Sequence, residues 1–125
     1  METILKDINA IMGVTGSFVC DAEGQVMARL LPDTLDQKLL IPAARTIAQT
    51  IEGLKIAQQD KIGDLDLLYD NGRLIIKSLD ESYLCIMCVQ RINVPLLNLT
   101  ANVAAKKLGK MVKELQRIAL FRSVH

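Results

Sequence analysis

The chain's three cysteines are its most reactive side chains, and two of them have a suggestive spacing. Cys85 and Cys88 form the C-x-x-C pattern that is found in metal and redox sites. They lie in an apolar segment that predicts a β-strand, where residues three apart point to opposite faces and lie about 10 Å apart. Such a pair can neither share a zinc ion nor form a disulfide. We therefore expect Cys85, Cys88 and Cys20 to be small buried core residues.

The residues needed for nucleophilic catalysis or for a phosphate-binding loop are incomplete in this sequence. His125 is the only histidine and ends the sequence, so a serine or cysteine nucleophile would have no base. Gly13-x-x-Gly16 follows a predicted helix and lacks the lysine and the following helix N-terminus of a phosphate loop. We expect a non-enzymatic protein with no cofactor and no metal.

Three aspartates, Asp64, Asp66 and Asp70, lie close together and would share one face of a strand, with Leu68 between the second and the third. A cation site or an acid/base pair is one interpretation, but calcium-loop spacing is absent. The favoured interpretation is a charged face on an edge strand, which discourages pairing with other chains.

Composition indicates one small globular domain. Half of the 125 residues are apolar, 3% are aromatic and 23% are charged. Neither a signal peptide nor an apolar run of the roughly 20 residues that span a membrane is evident, so we expect a reduced, cytoplasmic protein. Residues 100–125 contain six basic residues and one acid. A solvated helix face is the favoured explanation, and a contact with nucleic acid or an acidic membrane is the alternative.

The apolar periodicity predicts the element order α-β-β-α-β-β-β-α. The segment 83–90 is apolar on both faces, as in a central strand with layers above and below it. We therefore predict an α/β (α+β) sandwich, a five-stranded and mostly antiparallel sheet with helices on both faces. Gly24 and the pair Asn71-Gly72 predict hairpin turns with positive φ angles. The predicted helices and strands are 3–12, 17–21, 25–30, 35–57, 64–69, 73–79, 83–90 and a last helix entered through Pro95.

The long helix 35–57 carries an unusually wide apolar face. Its apolar residues cover roughly 160°, whereas an ordinary surface helix has a stripe of roughly 100°. One sheet does not need so wide a face, and the extra flank would suit a second helix at close range. The apolar set is Leu40, Ile41, Ala43, Ala44, Ile47, Ala48, Ile51 and Leu54, and the polar side opposite carries Lys38, Arg45, Gln49 and Glu52.

The last helix has two kinds of apolar residue. One face is predicted to pack on the sheet and carries Leu97, Ala101, Ala104, Leu108, Met111, Val112 and Leu115. Leu96, Leu99 and Val103 fall outside this face. They are either covered by the first helix or form a contact surface.

The segment Ile11–Gly24 resembles the opening signature of the Roadblock family, also called the Roadblock-type dynein light chains. In it a helix ends in a glycine-valine turn and enters a strand that closes on an aspartate and a glycine. The similarity continues through the alanine-rich second helix, the Asn71-Gly72 hairpin and the segment Arg91–Pro95. It covers about Ile4 to Leu115, so we predict one domain over 1–125, with a core of about 3–116 and a basic helical extension at 117–125.

The resemblance implies a dimer and a partner. Family members form homodimers or pair with a paralogous Roadblock protein through their third strands, with the second helices side by side. They act as platforms for Ras-like small GTPases or as dynein light chains. The dimer interface is expected at Leu40, Ala44, Ala48, Ile51, Leu65, Leu67 and Tyr69, and the GTPase contact at Lys38, Arg45, Gln49 and Glu52. The alternative function is a small-molecule or redox-sensing domain. Nucleic-acid binding is disfavoured because the basic helix has no interleaved aromatic residues.

Overall fold

The fold contains three helices and five strands within the described part of the chain. The computed structural model describes residues 1–35, 38, 40–58 and 63–124. The elements are α1 Glu2–Asn9, β1 Val14–Asp21, β2 Val26–Leu30, α2 Leu40–Gln58, β3 Leu65–Tyr69, β4 Gly72–Ser78, β5 Ser82–Cys88 and α3 Val94–Val124. The predicted element order is confirmed. The first turn of the predicted second helix lies partly outside the described residues, and His125 lies outside them altogether.

The five strands form one sheet in the order β2-β1-β5-β4-β3. Each neighbouring pair is antiparallel. β5 is the central strand, as its apolar pattern on both faces predicts. β3 is at an edge of the sheet, so one side of its backbone has no strand partner among the described residues.

The helices cover the two faces of the sheet unequally. α1 and α3 pack together on one face, where Leu5, Ile8, Leu84 and Leu97 are fully buried. α2 is the only described helix on the other face. Cys85 belongs to the core beneath α2 and Cys88 to the core beneath α1 and α3, which confirms that the two thiols point to opposite faces. The fold is therefore the predicted α+β sandwich.

The chain leaves α1 earlier than the sequence suggests. The helix ends at Asn9 rather than near Met12, and Gly13, with a φ of 97°, turns the chain into β1. Asn9 fixes this ending, because its side-chain amide donates to the Leu30 carbonyl at 2.9 Å and its oxygen accepts from the Ser17 hydroxyl at 2.7 Å. The first strand is predicted to begin at Ser17, but β1 begins at Val14 and so includes Gly16.

The two predicted hairpin turns have different outcomes. Gly24 has a φ of 85°, as predicted. In the β3–β4 hairpin Tyr69 pairs with Gly72, so the loop residues are Asp70 and Asn71. Asn71 and Gly72 are not among the described residues with positive φ, so the predicted turn type is wrong, although the hairpin is present.

α3 continues well past the last residue that it buries. Its buried face consists of Leu97, Ala101, Ala104, Leu108 and Val112. Met111 and Leu115 were predicted to share this face, but they are 41% and 48% exposed. Met111 lies at the margin of the buried face, and Leu115 lies beyond Val112, the last described residue that is buried. In the described part of the chain, no helix is both long and apolar enough to cross a membrane.

Candidate functional site

The two cysteines of β5 are buried and electrostatically suited to remain neutral. All three cysteines of the chain are free thiols. The neighbouring Cys20 thiol and burial raise the pKa of Cys85 well above its usual value, and burial raises the pKa of Cys88. Thiols that stay protonated are poor nucleophiles and poor metal ligands. Among the described residues, His, Cys, Asp and Glu form no cluster of three or more that could hold a metal ion.

Two of the three aspartates are used to fasten β3 to its neighbours. Arg73 donates to both carboxylate oxygens of Asp66 at 2.6 Å, and this contact lowers the pKa of Asp66. Asp64 accepts from the Lys77 ammonium at 2.9 Å. Lys77 is buried and also donates to the Asn98 side chain on α3 at 2.8 Å. These side chains position the edge strand.

Four of the seven residues predicted at a dimer interface are already buried within one chain. Leu40, Ala44, Ala48 and Ile51 are each at most 3% exposed. They pack with Phe18, Cys20, Ile76, Tyr83 and Cys85 of the sheet. The chain's own sheet covers this stripe of α2, so a second chain cannot reach it directly. Any contact through α2 must use the flank beside the stripe.

The other three predicted interface residues lie on the edge strand. Leu65, Leu67 and Tyr69 pair with Ile76, Leu74 and Gly72, and Ile76 packs beneath α2, so the three side chains share that face of the sheet. Leu65 is half-buried, while Leu67 is 37% exposed and Tyr69 is 51% exposed. The outermost apolar side chains on this face are therefore accessible.

A wide groove lies between the first half of α2 and the end of the sheet at the β3–β4 hairpin. Its volume is about 550 Å³. Ala43 and Ile47 of α2 form one wall, and Tyr69, Leu74 and Met87 belong to the sheet side. Leu74 and Met87 were not assigned a role from the sequence, because a strand pattern cannot show which part of a sheet face a helix leaves uncovered.

The predicted partner-binding residues do not share one environment. Lys38, Arg45 and Gln49 are exposed. Arg45 lines a second groove with Arg29 on the side of α2 nearest β2. Arg45 therefore lies on the flank of α2 opposite the flank that borders the groove with Ala43 and Ile47.

Glu52 differs from the other three because a buried phenol holds it. The Tyr83 hydroxyl donates to the Glu52 carboxylate, and the Lys55 ammonium lies 3.1 Å from the phenolic oxygen and 3.3 Å from the carboxylate. The hydrogen bond from Tyr83 lowers the pKa of Glu52. The three side chains tie α2 to β5, a role that the sequence pattern alone did not indicate.

Comparison with known proteins shows which folds this arrangement of helices and sheet is similar to. No family model matches the chain. It is 25% identical over 114 residues to the uncharacterized protein MJ1340 of Methanocaldococcus jannaschii, covering 89% of this chain and 98% of the relative. A Roadblock/LC7 domain from Streptomyces avermitilis superimposes with a TM-score of 0.76 at 10% identity, over 90% of this chain and 98% of that one. The chain has the Roadblock/LC7 fold. The gliding protein MglB from Thermus thermophilus shares this fold, with a TM-score of 0.78 at 13% identity over 90% of this chain and 88% of that one.

The Roadblock/LC7 fold agrees with the architecture that the resemblance in sequence implied. The five-stranded sheet, the pair α1 and α3 on one face and the single α2 on the other correspond to solved structures along most of the chain. The predicted resemblance is confirmed for the fold. In this Roadblock/LC7 fold Tyr69 of β3 and the flank of α2 that carries Ala43 and Ile47 border the same open groove.

Proposed function

We propose that the protein is a dimeric, non-catalytic platform that binds a Ras-like small GTPase. The observation that carries the dimer is the open groove beside an edge strand. Tyr69 borders a groove of about 550 Å³, Leu67 is exposed on the same face of β3, and β3 has only β4 as its described strand partner. Exposed edge strands with apolar side chains are templates for pairing with another chain.

Pairing of two β3 strands would cover both the free edge of β3 and the open groove. An antiparallel β3–β3 contact about a two-fold axis provides hydrogen-bond partners for the free edge of each strand. It also places the second copy's α2 on the same face of the joined sheet, next to the first. The flank of α2 that faces the groove carries Ala43 and Ile47, and a small residue such as Ala43 allows close approach of a second helix.

The GTPase platform follows from the Roadblock resemblance together with the accessible side of α2. Family members of this type present their paired second helices to Ras-like GTPases. In this chain Arg45 and Gln49 are exposed on α2, with Arg45 on the flank nearest β2, and Lys38 is exposed just before the helix. Glu52 is partly committed to Tyr83, so we assign it a smaller share of the contact.

The dimer is tested by charge substitution on β3. Leu67→Glu combined with Tyr69→Glu should shift the sedimenting mass from two chains to one, because apposed like charges at an apolar contact are unfavourable. The monomer fold should survive, since both side chains are exposed in it. Val103→Glu, which substitutes an equally exposed residue on α3, is the matched control and should remain dimeric. A wild-type protein that sediments as a monomer at micromolar concentration would contradict the proposal.

The GTPase contact is tested separately, with the dimer intact. Tagged protein from its native cells should retain a Ras-like GTPase, identified by mass spectrometry and then measured with purified components. Arg45→Glu combined with Gln49→Lys should weaken this binding severalfold while leaving the mass and melting temperature nearly unchanged, because exposed charges contribute little to stability. Retention of a GTPase that is insensitive to this pair would place the contact elsewhere.

The groove also favours a second candidate function, the binding of an apolar small molecule. Its volume of about 550 Å³ falls within the range of ligand sites. Most of the side chains that line it are apolar, and Arg73 and Asn71 are polar residues in its lining. Native mass spectrometry of the purified protein distinguishes the two candidates. A bound small molecule that is lost in Leu74→Trp would favour this function over a groove that a second chain fills.

A further inference from the structure

The outer side of α3 carries apolar residues that no other described element covers. Leu96, Leu99 and Val103 are 50%, 71% and 54% exposed. Of the two roles that the sequence left open for them, burial under α1 is therefore excluded. Leu99 and Val103 border a groove of about 300 Å³ between α1 and α3, whose walls also include Ile4 and Asp7 on α1 and Lys107 on α3.

A basic stripe continues directly from this apolar patch. Residues 94–113 include four lysines and no acidic residue. Lys107 lies four residues after Val103, and Lys110 lies three residues after Lys107. These spacings keep the three side chains on the same side of the helix. Lys106, Lys107 and Lys110 are exposed and make no ion pair with the described residues, whereas Lys113 is paired with Asp80 at 2.8 Å. Three uncommitted positive charges thus adjoin an uncovered apolar groove.

We propose that this face of α1 and α3 binds a segment of a partner protein that has apolar anchor residues followed by acidic ones. The apolar anchors would fill the groove between Ile4 and Val103, and the acidic residues would lie over Lys106, Lys107 and Lys110. This is the pattern of helix-in-groove recognition combined with charge complementarity. The site lies on the opposite face of the sheet from α2, so it does not depend on the proposed GTPase contact.

Two features favour a protein segment over other anionic partners. The groove is concave, so a side chain can enter it but a flat lipid surface or a nucleic-acid backbone cannot. Asp7 on the α1 wall would repel a uniformly anionic surface, while it tolerates a partner whose apolar part lies at the groove and whose acids lie farther along α3. A symmetric contact with a second copy would bring the two lysine stripes together, which is unfavourable.

Two synthetic helical peptides test the proposal on the full chain. Both carry leucines along one face; one has glutamates beside them and the other has lysines at the same positions. The glutamate peptide should bind at least tenfold more tightly, with NMR shift changes concentrated at Leu99, Val103 and Lys107. Its affinity should fall at least tenfold in K106E/K107E/K110E and in Val103→Glu, and be unchanged in Arg29→Glu, a control on an exposed basic residue of β2.

Each other outcome overturns the proposal. Equal binding of the two peptides, no binding of the glutamate peptide, or shift changes confined to α2 and β3 would show that this face is not an acidic-segment site. Lysine-dependent co-sedimentation with phosphatidylserine-rich vesicles would assign it to membranes instead. A loss of mass on sedimentation caused by Val103→Glu would assign it to self-association. These variants leave β3 and α2 unchanged. A negative result for the peptide site can therefore be distinguished from a failure of the proposed dimer.

Discussion

At the scale of single residues, the most informative contact is the one beneath the C-terminal half of α2. Tyr83 is completely buried, and its hydroxyl has to find a partner there. Glu52 and Lys55, three residues apart on α2, provide it. A residue that looks like a solvated charge on a helical wheel therefore serves as an anchor of α2 to the sheet.

This anchor predicts a pH-dependent effect of Tyr83→Phe. The pKa of Glu52 is lowered in the folded chain by its hydrogen bond from Tyr83. A carboxyl with a lowered folded pKa stabilises the fold above its unfolded pKa of about 4.3, and this stability is lost as the pH falls through the folded value. We expect Tyr83→Phe to cost about 1 kcal/mol at pH 7, a modest figure because the Glu52 side chain is 40% exposed.

Urea unfolding at several pH values provides the measurement. The difference between wild type and Tyr83→Phe should shrink as the pH falls below about 4 and both forms lose the ionised carboxylate. Glu52→Gln is the control, since the same Tyr83→Phe change made on its background should show little dependence on pH. A difference that stayed constant down to about pH 2 would mean that Glu52 does not hold the phenol.

At the scale of elements, two glycines show how α2 and α3 approach the sheet. A Cβ at Gly24 would lie 2.3 Å from the Arg45 Cα, so the β1–β2 turn and α2 touch through their backbones. A Cβ at Gly109 of α3 would lie 3.7 Å from the Leu79 carbonyl oxygen, an ordinary contact. Glycine is thus required by space at the first position and not at the second.

Opposite effects on stability are therefore expected for the same substitution. Gly24→Ala should destabilise by about 3 kcal/mol or more, because it adds a clash to a φ of 85° that side chains rarely adopt. Gly109→Ala should stabilise by about 1 kcal/mol, since alanine is the better helix former. Thermal unfolding of the two variants beside wild type measures both. Destabilisation by Gly109→Ala would indicate a tighter contact between α3 and the β4–β5 turn.

At the scale of the whole molecule, α3 has a part that belongs to the core and a part that does not. Val112 is the last buried residue among those described. Leu115 and Ile118 continue the apolar row past Val112, yet they are 48% and 43% exposed. The later turns of α3 therefore contribute little burial to the fold of a single chain.

Removal of residues 117–125 should accordingly leave the melting temperature within about 4 °C of wild type, since a change below about 1 kcal/mol shifts a domain of this size by no more than that. Circular dichroism melting of the shortened chain gives the measurement, and Leu108→Ala is the contrasting variant, which should lose about 3 kcal/mol through a core cavity. A large loss on truncation would mean that the predicted extension at 117–125 is part of the core.

Local patterns in the sequence determined the elements and the layers. Apolar alternation marked β3, the apolar run from Tyr83 identified the central strand β5, and the spacing of Ala44, Ala48 and Ile51 placed one stripe of α2. These features follow from periods of about two and 3.6 residues, which each segment carries by itself. The opposite orientations of Cys85 and Cys88 followed from the same rule.

Only the tertiary structure decided which apolar surfaces the chain buries for itself. The sequence could not show that Leu40 and Ala48 pack on the chain's own sheet while Tyr69 stays accessible, because coverage depends on where α2 lies across the strands. It could not show that Glu52 meets a phenol 31 residues away, or that Leu99 and Val103 are left uncovered by α1. The burial of a side chain and its hydrogen-bond partners depend on segments that are distant in the sequence. The packing of those segments on one another therefore decides both.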